Sequence, residues 1–269
     1  RRNVINSMTP TQPTENGKVA LIIGASGLIG QHLLTKLLAS SRYSKVIALV
    51  RKPLVITDPK LVQWQIDFAQ LAVELERRSL DQRNAQAKVN AITQSEKSSS
   101  ISKNQSTLNT PLASDELAIV DDVFCTLGST IKKAGSKGAF TEVDYHYPLI
   151  IAKHFYRQNA SLFAIVTAMA ANESSKLFYN QVKGKVETSL RDIGYQHLGI
   201  FRPSMLSGQR DEYRLGEHIG TMFMQALAFI IPQKYQVIEA EKVARAMLAY
   251  AENPAINVSV IQSDQLQSH

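Results

Sequence analysis

The sequence predicts an α/β fold, a doubly wound Rossmann-like parallel sheet in three layers (α/β/α). Three observations lead there. Six short apolar runs recur along the 269 residues. Helix-period patterns separate most of them. The first run passes directly into a glycine-rich turn that opens a helix. Short apolar strands alternating with helices imply repeated βαβ units. Their crossovers are almost always right-handed, which winds helices over both faces of the sheet.

The elements follow in order. Val19-Ala20-Leu21-Ile22-Ile23 is continuously apolar, as expected of a strand covered on both faces. After the turn, Leu28, Ile29, Leu33, Leu34, Leu37 and Leu38 mark the first helix. Further strands are expected at 45–50, 61–66, 122–127, 162–166 and 197–201. Helical patterns cover 140–158, 178–191 and 240–251. Residues 1–16 are polar, contain two prolines and lack the apolar middle of a signal peptide, so a flexible leader is expected. Residues 17–269 then form one domain. Within it, 79–114 is rich in Gln, Asn and Ser, contains no aromatic residue, and reads as a polar insert on the rim of the sheet. Its beginning, with residues 74–89, can extend a helix, and the remainder is expected to be a loop.

Composition narrows the function classes. With 44% hydrophobic and 20% charged residues, the chain reads as a soluble globular protein. No apolar run reaches the roughly 18 residues that span a bilayer, so no membrane partner is expected. One cysteine excludes an internal disulfide and a cysteine-based zinc site, and a cytoplasmic location is expected. Cys125, within a predicted strand, reads as a small core hydrophobe. The six histidines show no metal-ligand spacing with acids, so no metal is expected. A formal charge of +7 raises the question of a polyanionic partner. No zinc finger, basic helix or aromatic-basic alternation points to nucleic acid.

The turn Gly24-Ala25-Ser26-Gly27-Leu28-Ile29-Gly30 lies between a strand and a helix, the setting of a dinucleotide fingerprint. Gly24 permits the sharp turn, Gly27 lets backbone approach a pyrophosphate, and Gly30 lets the helix pack closely. The helix start presents free N–H groups and partial positive charge to the phosphates. The second strand ends in Arg51-Lys52, where an NAD-binding chain would place an acid on the ribose hydroxyls. Arg51 can pair with a 2′-phosphate through two charge-assisted bonds. The expected cofactor is therefore NADP(H). Leu127 and Gly128, ending the fourth strand, should lie across the crevice where such sheets bind ligands.

Tyr179 and Lys183 stand at i and i+4 on a predicted helix and share one face. Reducing a carbonyl requires a proton for its oxygen while hydride reaches its carbon. Free tyrosine, with a pKa of about 10, holds its proton too tightly at neutral pH. A neighbouring ammonium favours the phenolate and eases that exchange.

The GxxGxxG spacing resembles the short-chain dehydrogenase/reductase superfamily in its extended and atypical branches. The likeness narrows with Phe124-Cys125-Thr126-Leu127-Gly128-Ser129-Thr130, Lys133-Ala134-Gly135, Val143-Asp144, Ser174-Ser175, Phe178 through Glu187, and Phe201-Arg202-Pro203. These look like the Tat-interacting oxidoreductase group of atypical reductases, over most of residues 18–252. The resemblance implies Asp67 at the adenine, Lys183 on the nicotinamide ribose, Thr167 as a carbonyl-orienting hydroxyl, and Pro203 beside the nicotinamide. It also implies a substrate region at about 203–237, where Met205, Met222, Phe223, Met224 and Phe229 are candidate pocket residues. The chain departs from the pattern in two places. Thr167-Ala168 stands where Ser-Ser is usual, and the insert is long.

The favoured reading is an NADP(H)-dependent oxidoreductase acting on a small carbonyl or alcohol, as a monomer or homodimer. A non-catalytic NADP(H) sensor or scaffold and a sugar-nucleotide epimerase or dehydratase remain open beside it.

Overall fold

The computed structural model describes residues 17–98, 119–207 and 235–269. Seven parallel strands form one sheet in the order β3-β2-β1-β4-β5-β6-β9. They are β1 (Lys18–Ile23), β2 (Tyr43–Val50), β3 (Leu61–Gln65), β4 (Asp122–Cys125), β5 (Leu162–Val166), β6 (His197–Arg202) and β9 (Asn257–Gln262). A two-stranded ladder, β7 (Leu206–Ser207) with β8 (Ile238–Glu239), stands apart.

The helices are α1 (Leu28–Ala39), α2 (Leu71–Ser98), α3 (Ile131–Ala134), α4 (Lys137–Thr141), α5 (Tyr147–Arg157), α6 (Phe178–Arg191), α7 (Ala240–Glu252) and α8 (Ser263–Leu266). Alternate strand residues feed two separate cores, as the two-residue period of a strand requires. Ala20, Ile22, Val46, Ala48 and Phe124 pack under α1 and α7, against Leu33, Leu37, Val243 and Met247. Leu21, Ile23, Ile47, Val123 and Cys125 face the other way, under α2, α5 and α6, against Leu75, Ile151, Phe155 and Val186. This double covering is why the central parts of β1, β2 and β5 are continuously apolar.

The strand order reverses between β1 and β4, which opens a crevice at their C-terminal ends. The opposite ends are locked by Asp122. Its fully buried carboxylate takes Lys18 Nζ at 2.9 Å, Tyr43 OH at 2.9 Å and Arg42 Nε at 3.3 Å. A buried charge is tolerated when it is paired and hydrogen-bonded in this way.

Three expectations need correction. The helix read at 140–158 is interrupted by a π turn at Glu142–His146, closed by Tyr147 N–H on the Glu142 carbonyl. Pro148 follows directly. It has no N–H to offer the carbonyl four residues back, so the helical register widens there. The helix expected to take in residues 74–89 is longer, because α2 runs on to Ser98, so 90–98 are helical where a loop was expected. Ion pairs Arg77–Glu74, Arg77–Asp81 and Arg83–Glu76 support its exposed side. The seventh strand, β9, was not read from the sequence. As an edge strand it is only partly covered, so it lacks a continuous apolar run. Residues 1–16, the rest of the insert beyond Ser98, and Met222, Phe223, Met224 and Phe229 lie outside the described residues.

Candidate active site

The glycine-rich turn leaves β1 at Gly24, whose φ of +85° favours glycine. A Cβ there would lie 2.8 Å from the Thr126 carbonyl. Thr126 in turn bonds back through its hydroxyl to the Ile23 carbonyl at 2.9 Å. A Cβ on Gly30 would stand 2.0 Å from the Gly24 carbonyl oxygen. The third glycine thus lets α1 start on top of its own turn. Ala25 and Ile29 are buried in the core beneath, Leu28 packs beside it, and Ser26 and Gly27 face outward. Gly27 caps α1 without a side chain, and no acid occupies the first turn. The first N–H groups therefore remain available to an anion.

The strand ends β2 and β3 form a cleft of about 510 Å³ lined by Arg51, Gln65, Ile66, Asp67 and Phe68. Arg51 and Asp67, 16 positions apart in sequence, are thereby brought together. Asp67 is exposed, and its Oδ1 accepts from Ala69 N at 3.0 Å to cap a short 3-10 turn. Lys52 is exposed but does not line the cleft. Sequence reasoning missed Tyr147, whose ring meets Phe68 with centroids 5.2 Å apart. Burial and then Glu142 raise the pKa of its hydroxyl, with Arg51 opposing. An aromatic at the start of a helix, 82 residues beyond the end of β3, carries no local signal of this placement.

Across the crevice, Leu127 and Gly128 follow β4, with Leu127 against the α2–α5–α6 core. Close to Gly128 lie the two atoms of a buried ion pair. Lys183 Nζ stands 2.7 Å from Asp144 Oδ1, and both side chains are at most 5% exposed. Asp144 Oδ2 accepts from Ser129 N at 3.0 Å. Burial opposes the lysine's charge. Asp144 first, then Tyr179, outweigh it and hold the ammonium above the ordinary lysine pKa. Tyr179 is half-buried, and its ring lies 5.4 Å from Phe140. The helix therefore does place Tyr179 and Lys183 within electrostatic reach of one another. Cys125, buried in β4, has its thiol pushed up to about 12 by burial and is unreactive there.

Thr167 directly follows β5 and is 5% exposed. Its hydroxyl donates to Glu187 Oε1 at 2.6 Å, and Glu187 also takes Arg202 Nε at 3.0 Å. The hydroxyl's one proton is thus engaged inside the protein and does not point out to a substrate oxygen. Pro203 is buried, and its carbonyl accepts from Met169 N at 3.1 Å, joining the loops after β5 and β6. The expected substrate region is described only at its edges, where Ser204 Oγ donates to the Gln236 carbonyl and β7 pairs with β8. Met205 is 63% exposed there.

Comparison with known proteins gives a family. The HIM1 family model matches residues 85–233, more than half of the chain. Protein HTATIP2 of Rattus norvegicus is 28% identical over 244 residues, covering 88% of this chain and 82% of that protein. Protein FMP52, mitochondrial, of Candida albicans is 32% identical over 149 residues, covering 54% of this chain and 60% of that one. Among solved structures, the Bordetella bronchiseptica enzyme WbmH in complex with NAD+ matches with a TM-score of 0.60 at 15% identity, covering 92% and 76%. A short chain dehydrogenase from Burkholderia cenocepacia in complex with NADP matches with a TM-score of 0.54 at 17% identity, covering 91% and 88%. At those identities the structures speak to the fold alone.

The expected cytoplasmic location is corrected by the fungal relatives, which are named mitochondrial proteins. A lone cysteine argues against an oxidising compartment but does not distinguish among reducing ones. No helix among the described residues is long and apolar enough to cross a membrane.

Proposed function

The chain belongs to the HIM1 family and has the fold of an atypical short-chain dehydrogenase/reductase, and on that premise we propose that it is an NADP(H)-dependent oxidoreductase acting on a carbonyl or alcohol. The observation that supports the reading is that three features all lie on the side of the sheet where the strands end in their C-termini. These are the glycine turn a Cβ would obstruct, the Arg51–Asp67 cleft, and Tyr179 beside Lys183.

The residues present fit a nicotinamide dinucleotide. Gly24 to Gly30, with Ala25, Ser26, Leu28 and Ile29 shaping the turn, cradle the pyrophosphate through backbone N–H groups. Arg51, with Lys52 adding charge nearby, takes the 2′-phosphate, and Asp67 takes the adenine amino group. Leu127, Gly128 and Pro203 border the nicotinamide side. When bound, the nicotinamide supplies or accepts a hydride. The protein's part is acid–base chemistry. Tyr179 gives its hydroxyl proton to the carbonyl oxygen as negative charge develops there. Lys183 holds the ribose and favours the phenolate that results.

One observation favours a second reading. Thr167, the candidate orienting hydroxyl, is committed to Glu187. A chain that binds NADP(H) without turnover would serve as a redox sensor. The two readings separate when NADPH consumption is followed against aldehydes, ketones and quinones, with Tyr179→Phe as control. Turnover abolished by that change is the expected result. Tight NADPH binding with no turnover of any carbonyl overturns the oxidoreductase reading and leaves the sensor.

A further inference from the structure

The ion pair beside Gly128 joins three segments far apart in sequence. Lys183 comes from α6, Asp144 from the π turn ahead of α5, and Ser129 from the loop after β4. Both carboxylate oxygens are committed, Oδ1 to the ammonium and Oδ2 to the Ser129 N–H. A Cβ on Gly128 would lie 3.8 Å from both Lys183 Nζ and Asp144 Oδ1, so the pair sits against the crevice wall. The π turn is the device that presents Asp144. A widened turn rotates its residues relative to a regular helix and commonly marks functional sites.

We infer that Asp144 is a positioning residue for Lys183, fixing the ammonium beside Gly128 and keeping it charged for its work with Tyr179. The inference rests on the reading of Tyr179 and Lys183 as the reacting pair. The groups facing the ammonium are Asp144 from the π turn, Tyr179 from its own helix and Cys125 from β4. Asp144 is the one carboxylate among them. Without it, an amine buried to this degree would favour its neutral form. A neutral amine would neither favour the phenolate nor donate three hydrogen bonds.

The test is made first on the cofactor-free chain, so that it stands apart from turnover. Lys183 is titrated by NMR of side-chain-labelled lysine, assigned by its loss in Lys183→Arg, in the parent chain, Asp144→Asn and Asp144→Glu. In the parent and in Asp144→Glu the ammonium is expected to persist into the alkaline range. In Asp144→Asn the midpoint falls, with proton affinity reduced tenfold or more. An unmoved midpoint in Asp144→Asn overturns the inference. So does a midpoint in Asp144→Glu as low as that expected for Asn, which keeps the question open to test where Asp144→Asn fails to fold.

Turnover gives the second readout. In Asp144→Asn, kcat/KM is expected to fall at least tenfold more at pH 9 than at pH 6.5. A loss equal at both pH values marks a merely structural pair and overturns the inference. A titration that shifts as expected in a chain without carbonyl turnover keeps the positioning role for Lys183 and removes the oxidoreductase reading instead.

Discussion

Thr167 Oγ1 donates to Glu187 Oε1 at 2.6 Å, and Glu187 binds Arg202 through both of its oxygens. The end of β5, the middle of α6 and the end of β6 are thereby tied behind the crevice. Glu187 is 2% exposed, so its charge depends on these partners. Thr167→Val removes one of them without changing shape. It is expected to cost about 1–3 kcal/mol in urea unfolding, the penalty of an unmet buried acceptor. Turnover per folded molecule should change only a few-fold. A loss in kcat above a hundredfold, with stability little altered, would restore Thr167 as the carbonyl-orienting hydroxyl.

Gly184 is enclosed by backbone. A Cβ there would stand 2.0 Å from Glu173 N and 2.2 Å from the Asn172 carbonyl carbon. The same loop is fastened to α6 by Asn172 N on the Asn180 carbonyl at 3.0 Å. Gly184→Ala must therefore push α6 away from the loop and carry Lys183 with it. We expect a loss of at least about 2 kcal/mol, typical of overpacking, together with weaker dinucleotide binding. Calorimetry and cofactor titration check the two effects. Wild-type melting and affinity in the variant would show that the loop yields freely.

What the sequence displays depends on how local each feature is. The strands β1, β2 and β5 are legible because both faces are covered over 19–23, 46–50 and 162–166, and every residue there is apolar. The Tyr179–Lys183 pair is legible because four residues make one helical turn. The Lys183–Asp144 pair joins residues 39 positions apart, and only the packing of α6 against the π turn creates it. Arg51 and Asp67 could each be proposed from strand ends, but their shared cleft appears only with β3 paired to β2. Thr167 was legible as a hydroxyl at the right place. Its direction was not, because Glu187 and Arg202 decide it from other elements.

His154 gives a pH dependence of stability. It is 5% exposed between α2 and α5, with Nε2 3.1 Å from Ser79 Oγ and 2.7 Å from Gln158 Nε2. Burial, opposed by Glu76 and reinforced by Arg157 and Arg83, holds its imidazole down at about 4. In the unfolded chain it returns to its ordinary value of about 6.5. Between those values the unfolded state binds a proton that the folded state does not. Stability is therefore complete above pH 6.5 or so and falls as the pH drops toward 4. The loss from this group is at most roughly 3 kcal/mol. His154→Gln should flatten the acid limb of a plot of unfolding free energy against pH. An unchanged limb would assign it to the carboxylates instead.

The most direct measurement is a pair of dissociation constants, for NADPH and for NADH, in the parent chain and in Arg51→Ala. The account predicts that NADPH binds more tightly than NADH. It also predicts that Arg51→Ala weakens NADPH about ten- to a hundredfold, the worth of a charge-assisted contact, while NADH is little affected. Equal affinities for the two dinucleotides, or an Arg51→Ala chain that keeps its NADPH affinity, would contradict it.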